Sequence, residues 1–199
     1  MHTISPAPAL TCALALVHSA PEFAPADRIV AAAVFIVTDD TIGTRFDLRM
    51  VVVPPALSRA QAIKHAANLL PNCATVLVRP PRLPRGLVRH LTSGGSMPVR
   101  TVAQALTVAR PDLDVQAIAI PEEAMITVAR YFSLSRAGRD DVLAAQARRV
   151  EDEAQAIFLT AMFTRPGERE RKRLAAAYEA WRALRRARLL SPFGTAEAF

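Results

Sequence analysis

At 199 residues the chain has the size of one domain, and its 51% hydrophobic content supplies a core and excludes global disorder. Its two cysteines, Cys12 and Cys73, are too few for a disulfide framework or a zinc site, and free thiols in a reducing cytoplasm are expected. No run approaches the roughly 18–20 apolar residues that span a bilayer as a helix.

The net charge of +7 is unevenly placed. Between Arg165 and Arg188, nine basic residues face only Glu168, Glu170 and Glu179, so this stretch alone carries a surplus of six. The rest of the chain is nearly neutral. Such asymmetry suits a tail that meets an anionic partner, and a solvated helix face would carry the same charge.

In chain order, Leu10–Val17 is almost continuously apolar, as a strand buried on both faces would be. The stretch from Ala9 to Val17 resembles the apolar part of a signal peptide, with His18-Ser19-Ala20 as a cleavage site, but the basic leading region is missing. A first strand and a cytoplasmic protein are therefore expected. Arg28–Thr38 predicts a second strand, and Asp39-Asp40-Thr41-Ile42-Gly43 a hairpin connection. Phe46–Val53 predicts a third strand, which Pro54-Pro55 stops.

A helix follows. Ser58 is a good N-cap, and Ala62, Ile63, Ala66, Ala67 and Leu70 form an apolar stripe at helical spacing that Pro71-Asn72 ends. Thr75–Val78 predicts a short fourth strand. Leu87, Val88 and Leu91 suggest a helix starting near Pro84, and Thr92–Ser96 a loop. Val102–Ala109 reads as helical, with Pro111 as its stop, and Val115–Ile120 as a fifth strand. Helices are expected over Glu122–Phe132 and about Asp140–Phe163. Pro166-Gly167 breaks the chain before a last helix from about Glu168 to Leu189, and Ser191–Phe199 should fray. The order β-β-β-α-β-α-β-α implies an α/β fold with a mixed five-stranded sheet, the first strand beside the fourth and the second and third antiparallel. The expected division is a domain over residues 1–164 and a basic helical extension over 165–199.

The stretch from Leu16 to Val30, anchored on Asp27-Arg28-Ile29, resembles the opening of DnaQ-like 3′–5′ exonucleases of the RNase H-like superfamily. There the pattern is Asp-x-Glu-Thr-Thr-Gly-Leu followed by Asp-Arg-Ile. Thr44–Pro55 resembles the family's next strand, Ala74–Leu91 the region of its His-Asn pair, Val99-Arg100-Thr101 that of an Asp-Thr pair, and Ala147–Phe163 its last helix. The resemblance covers roughly residues 10–163 in order, spacing and hydrophobic pattern.

That resemblance implies an RNase H-like fold and a two-metal centre. Mg²⁺ or Mn²⁺ would be held by four carboxylates, because hard cations take oxygen ligands. Carried over position by position, the first-strand Asp falls on Leu16, the Glu on His18, the third acid on Arg85 and the last-helix acid on Asp152, with Ala147 where the family has His. One carboxylate of four survives. The resemblance thus implies a degenerate exonuclease homologue with no resident cofactor or metal, acting as a binding module for nucleic acid or an acidic protein. The rivals are an active exonuclease using Mg²⁺ or Mn²⁺ through other acids (Glu22, Asp39, Asp40, Asp47, Asp140, Asp141 or Asp152) and a structural or regulatory protein.

His18 is either a ligand for a softer metal or an ordinary strand histidine, and Glu151-Asp152-Glu153 is also explained by a solvated helix face. The stiff loop Arg79–Arg85, together with Arg89, offers Arg79, Arg82, Arg85 and Arg89 to phosphate, and the last helix adds Arg182, Arg185 and Arg186, although a surface turn in an Arg-rich protein explains the loop as well. On that helix Leu174, Ala177, Tyr178, Trp181, Leu184 and Leu189 form an apolar stripe. The stripe should pack on the protein's own core or on a second copy, which makes the helix around Trp181 a candidate for homo-oligomer contact; otherwise it is a docking helix for a partner, nucleic acid or an anionic membrane surface. No Gly-rich phosphate loop, histidine ligand spacing or nucleophile motif is present.

Overall fold

The computed structural model describes residues 9–18, 28–79, 102–118, 142–164 and 167–190. Five strands are present: β1 (Ala9–His18), β2 (Ile29–Asp39), β3 (Thr44–Val52), β4 (Thr75–Val78) and β5 (Asp114–Ala117). Among the described residues there are four helices: α1 (Arg59–Ala67), α2 (Val102–Ala109), α3 (Val142–Thr164) and α4 (Glu168–Leu190). The sheet order is β3-β2-β1-β4-β5. β1 pairs antiparallel with β2 and β2 antiparallel with β3, whereas β4 runs parallel to β1 and β5 parallel to β4. This is the RNase H-like topology, and each expected neighbour is in place. The fifth strand is described over Asp114–Ala117, and Ala119 and Ile120 of the expected strand lie outside the described residues. The helices anticipated near Pro84 and over Glu122–Phe132, and the ending Ser191–Phe199, lie outside the described residues.

β1 is apolar on both faces because it is the centre of a three-layer sandwich. Successive strand side chains point to opposite sides. Ala13, Ala15 and Val17 therefore join a cluster with Val150, Ala154, Ile157 and Phe158 of α3 and Leu174 and Tyr178 of α4. Cys12 and Leu14 join a second cluster with Ile63, Ala66 and Ala67 of α1 and Leu106 of α2. Burial pushes the Cys12 thiol up to about 12, so it is a core residue and not a nucleophile.

Phe35 of β2 is the aromatic centre of the first cluster. It is fully buried, and its ring lies 5.6 Å from Phe46, 5.3 Å from Phe158, 6.0 Å from Tyr178 and 5.2 Å from Trp181. Leu174, Tyr178 and Trp181 of the α4 stripe therefore pack on the protein's own core, whereas Leu184 is exposed. The buried Tyr178 hydroxyl donates to Gln155 Oε1 at 2.9 Å, which ties α4 to α3.

Charged groups fix the helix ends and the hairpin. Ser58 and Gln61 form a complete capping box at the start of α1, as Ser58 leads one to expect. The last turn tightens before Pro71, with Leu70 N donating to Ala67 O at 3.1 Å. The Arg110 guanidinium donates to the carbonyls of Ala67 and Leu70, at 3.2 and 3.4 Å, and a cation is favoured at a helix C-terminus. Asp112 clamps Arg110 at 2.8 and 2.7 Å, which holds the Asp112 carboxyl well below the usual carboxylate range. In the β2–β3 hairpin Asp40 accepts from the amides of Ile42 and Gly43 at 2.8 and 3.0 Å. These two bonds account for the lowered Asp40 carboxyl.

Candidate functional site

The carboxyl end of β1 and β4 is where the resemblance places a metal centre. Leu14 pairs with Val78, so the next residue of β4's chain, Arg79, stands level with Ala15 and one step short of Leu16. α3 passes the same end, because Arg79 Nη1 donates to Glu153 Oε1 at 3.4 Å. α4 reaches it too, with Arg185 Nη2 donating to Glu151 Oε2 at 3.0 Å. Both pairs are partly buried: side-chain exposures are 17% and 26% for Arg79 and Glu153, and 34% and 22% for Arg185 and Glu151. Arg185 also lies over the Trp181 ring, 5.6 Å from its centroid, so an aromatic face and a carboxylate hold it together.

Asp152 lies between these two paired acids and is half-buried. Leu16 is half-buried as well, but it packs in the cluster of α1 and α2, whereas α3 covers the other face of the sheet. The strand position that would carry the first acid is thus an apolar packing position. The His18 backbone pairs with Ile29 across a register shift at the end of β1. The His18 side chain, and Arg82, Arg85 and Arg89, lie outside the described residues. Among the described residues no three His, Cys, Asp or Glu side chains are grouped to hold a metal ion.

Three of the rival acids, Asp39, Asp40 and Asp47, sit elsewhere. Ala9 pairs with Asp39, so Asp39 and Asp40 are at the opposite end of β1 from Leu16. At roughly 3.3 Å per residue along a strand, the length of β1 separates them from the carboxyl end. Asp39 accepts from Arg173 at 3.1 and 2.6 Å, which holds its carboxyl below the usual range. Arg173 also donates to Glu170 at 2.7 Å, and these bonds raise its own affinity for the proton. Asp47 bonds Arg49 at 2.8 Å on the exposed β3. Glu22, Asp140 and Asp141 lie outside the described residues.

Of the basic residues singled out in the sequence, the structure brings Arg79 and Arg185 to one end of the sheet. Arg182 is half-buried and Arg186 exposed on the same helix as Arg185. Sequence reasoning treats Glu151 and Glu153 as a solvated run and misses their partners. It also gives no role beyond the Asp27-Arg28-Ile29 anchor to Arg28, whose Nε, among the described residues, is buried without a hydrogen-bond partner at the start of β2, opposite the end of β1.

No family model matches the chain, and no curated protein does. Among solved structures it is similar to the solution structure of the PFV RNase H domain. That similarity has 11% identity and a TM-score of 0.26, and covers 76% of this chain and 94% of the other.

Proposed function

We propose that this chain is a non-catalytic RNase H-like module that binds the phosphate backbone of nucleic acid. The observation that carries the reading is the state of the carboxyl end of the sheet. The acids that flank Asp152 are answered by Arg79 and Arg185, and the position of the first-strand acid is filled by Leu16. A guanidinium supplies, as a fixed part of the chain, positive charge that a two-metal nuclease takes from divalent cations.

The charge of α4 supports an anionic partner. Its eight basic residues exceed its own three acids, and counting Asp39 and Glu151 of the neighbouring elements still leaves a surplus of three. Aromatic content is 6%, and the aromatics of α4 face the core, so base stacking contributes little and sequence preference should be weak.

Two measurements test this. Purified protein should leave single-stranded DNA and RNA intact with Mg²⁺ or Mn²⁺ present. It should bind both at low salt, with affinity falling steeply as salt rises. Nuclease activity that vanishes in Asp152→Ala would overturn the non-catalytic reading. Absence of binding at low salt would overturn the phosphate reading and favour an acidic protein partner.

A further inference from the structure

We infer that β3 is a self-pairing edge, and that two copies of this chain join antiparallel across it in one mixed ten-stranded sheet. The two sheet edges differ. β5 is four residues long, and short edges resist pairing. β3 is nine residues long and lies outermost in the order β3-β2-β1-β4-β5.

The outward polar groups of β3 are identified by its inner ladder. Val53 N donates to Val30 O at 2.9 Å, and Asp40 and Gly43 exchange both backbone bonds at 3.2 Å. Odd-numbered residues therefore turn their backbone groups to β2. Those of Thr44, Phe46, Leu48, Met50 and Val52 point away from the sheet.

A two-fold axis perpendicular to the sheet keeps each copy's faces on the same side, so the numbers of opposed residues must sum to an even value. Centring the axis on Leu48 sets Phe46 opposite Met50, Thr44 opposite Val52 and Asp47 opposite Arg49, each twice. The Asp47–Arg49 pairs fall at non-hydrogen-bonded positions, where side chains come closest. Moving the axis one residue toward the N-terminus sets Asp47 against Asp47 and Arg45 against Arg49. Moving it the other way sets Arg49 against Arg49. Charged edge residues usually prevent pairing. Here their order along the strand favours the register centred on Leu48 over its two immediate neighbours.

On the α4 side of the sheet Met50 is 37% exposed and Val52 58%. These are apolar side chains that a second copy would cover. The surface commits to the protein itself, because the complementarity is between the strand and its own reverse.

The test is the molar mass of the full chain by sedimentation across micromolar concentrations, with circular dichroism as a check of folding. Wild type should reach twice the chain mass. Asp47→Arg places Arg opposite Arg and should weaken association by about tenfold or more. Adding Arg49→Asp restores opposite charges in the same register and should recover dimerisation. Should Asp47→Arg fail to fold, Arg49→Asp alone makes the same challenge with acid opposite acid. A monomeric wild type, an indifferent Asp47→Arg, or a double swap that stays monomeric would each overturn the inference.

Discussion

Trp181→Ala asks whether α4 belongs to the core or is a detachable basic tail. The indole packs on Phe35 at 5.2 Å, Phe46 at 6.0 Å and Tyr178 at 5.9 Å, and carries Arg185 above it at 5.6 Å. Truncating a fully buried Trp costs about 3–5 kcal/mol. Trp181 is only half-buried, which lowers the packing loss, and removal of the cation–π interaction adds about 0.5 kcal/mol at a partly exposed site. The expected destabilisation is about 2–3 kcal/mol, a large part of the roughly 5–15 kcal/mol that holds a domain folded. Leu184→Ala, one turn further on and 63% exposed, should change stability by less than about 0.5 kcal/mol. Urea unfolding read by far-ultraviolet circular dichroism suits the comparison, since the variant removes the only tryptophan. Protein concentration must be fixed, because association would stabilise both. Equal midpoints for the two variants would refute the reasoning and leave α4 as a tail resting on the sheet.

Asp39 predicts an acid-side dependence. Its folded carboxyl is held low, first by the Arg173 hydrogen bond, so its stabilisation is present above the unfolded value near pH 4 and lost as pH falls through the lower folded value. Asp39→Asn should flatten the loss of stability below about pH 4, measured by urea melts at stepped pH. Changing Arg182, Arg185 and Arg186 together to Ala should flatten the salt dependence of single-strand binding by about two units, at about 0.7 for each phosphate no longer neutralised. An unchanged slope would place the phosphate-binding residues elsewhere than α4.

The sheet was legible because its strands differ in burial. β1 and β2 are covered on both faces and read as unbroken apolar runs, whereas β3 alternates, as an edge strand with one face against α4 does. α1 was legible from Ser58 and its apolar stripe, and α2 from its apolar spacing before Pro111. The site was much less so. Sequence spacing placed Asp152 on α3, but the pairs that surround it join Arg79 to Glu153 and Arg185 to Glu151, across 74 and 34 residues. No local pattern marks such pairs. The Arg110–Asp112 clamp was equally invisible, since an Arg two residues before an Asp near a Pro reads as a polar turn.

The pairing of arginine with acid at the carboxyl end bears on how phosphate would be held there. A partly buried pair differs from a surface one: removing one partner strands the other charge in a poorly solvated place. Arg79 and Arg185 are therefore held by Glu153 and Glu151 in the unbound protein, and their orientation needs little further ordering when a ligand arrives. A phosphate sharing Arg185 would compete with Glu151 for the same donors, which makes binding there weaker but easily reversed. Glu151 would also repel a phosphate that approached without engaging the guanidinium. On the proposed reading these acids select for binding through arginine and set an upper bound on affinity, whereas in a metal-dependent nuclease the same helix would spend its carboxylates on cations.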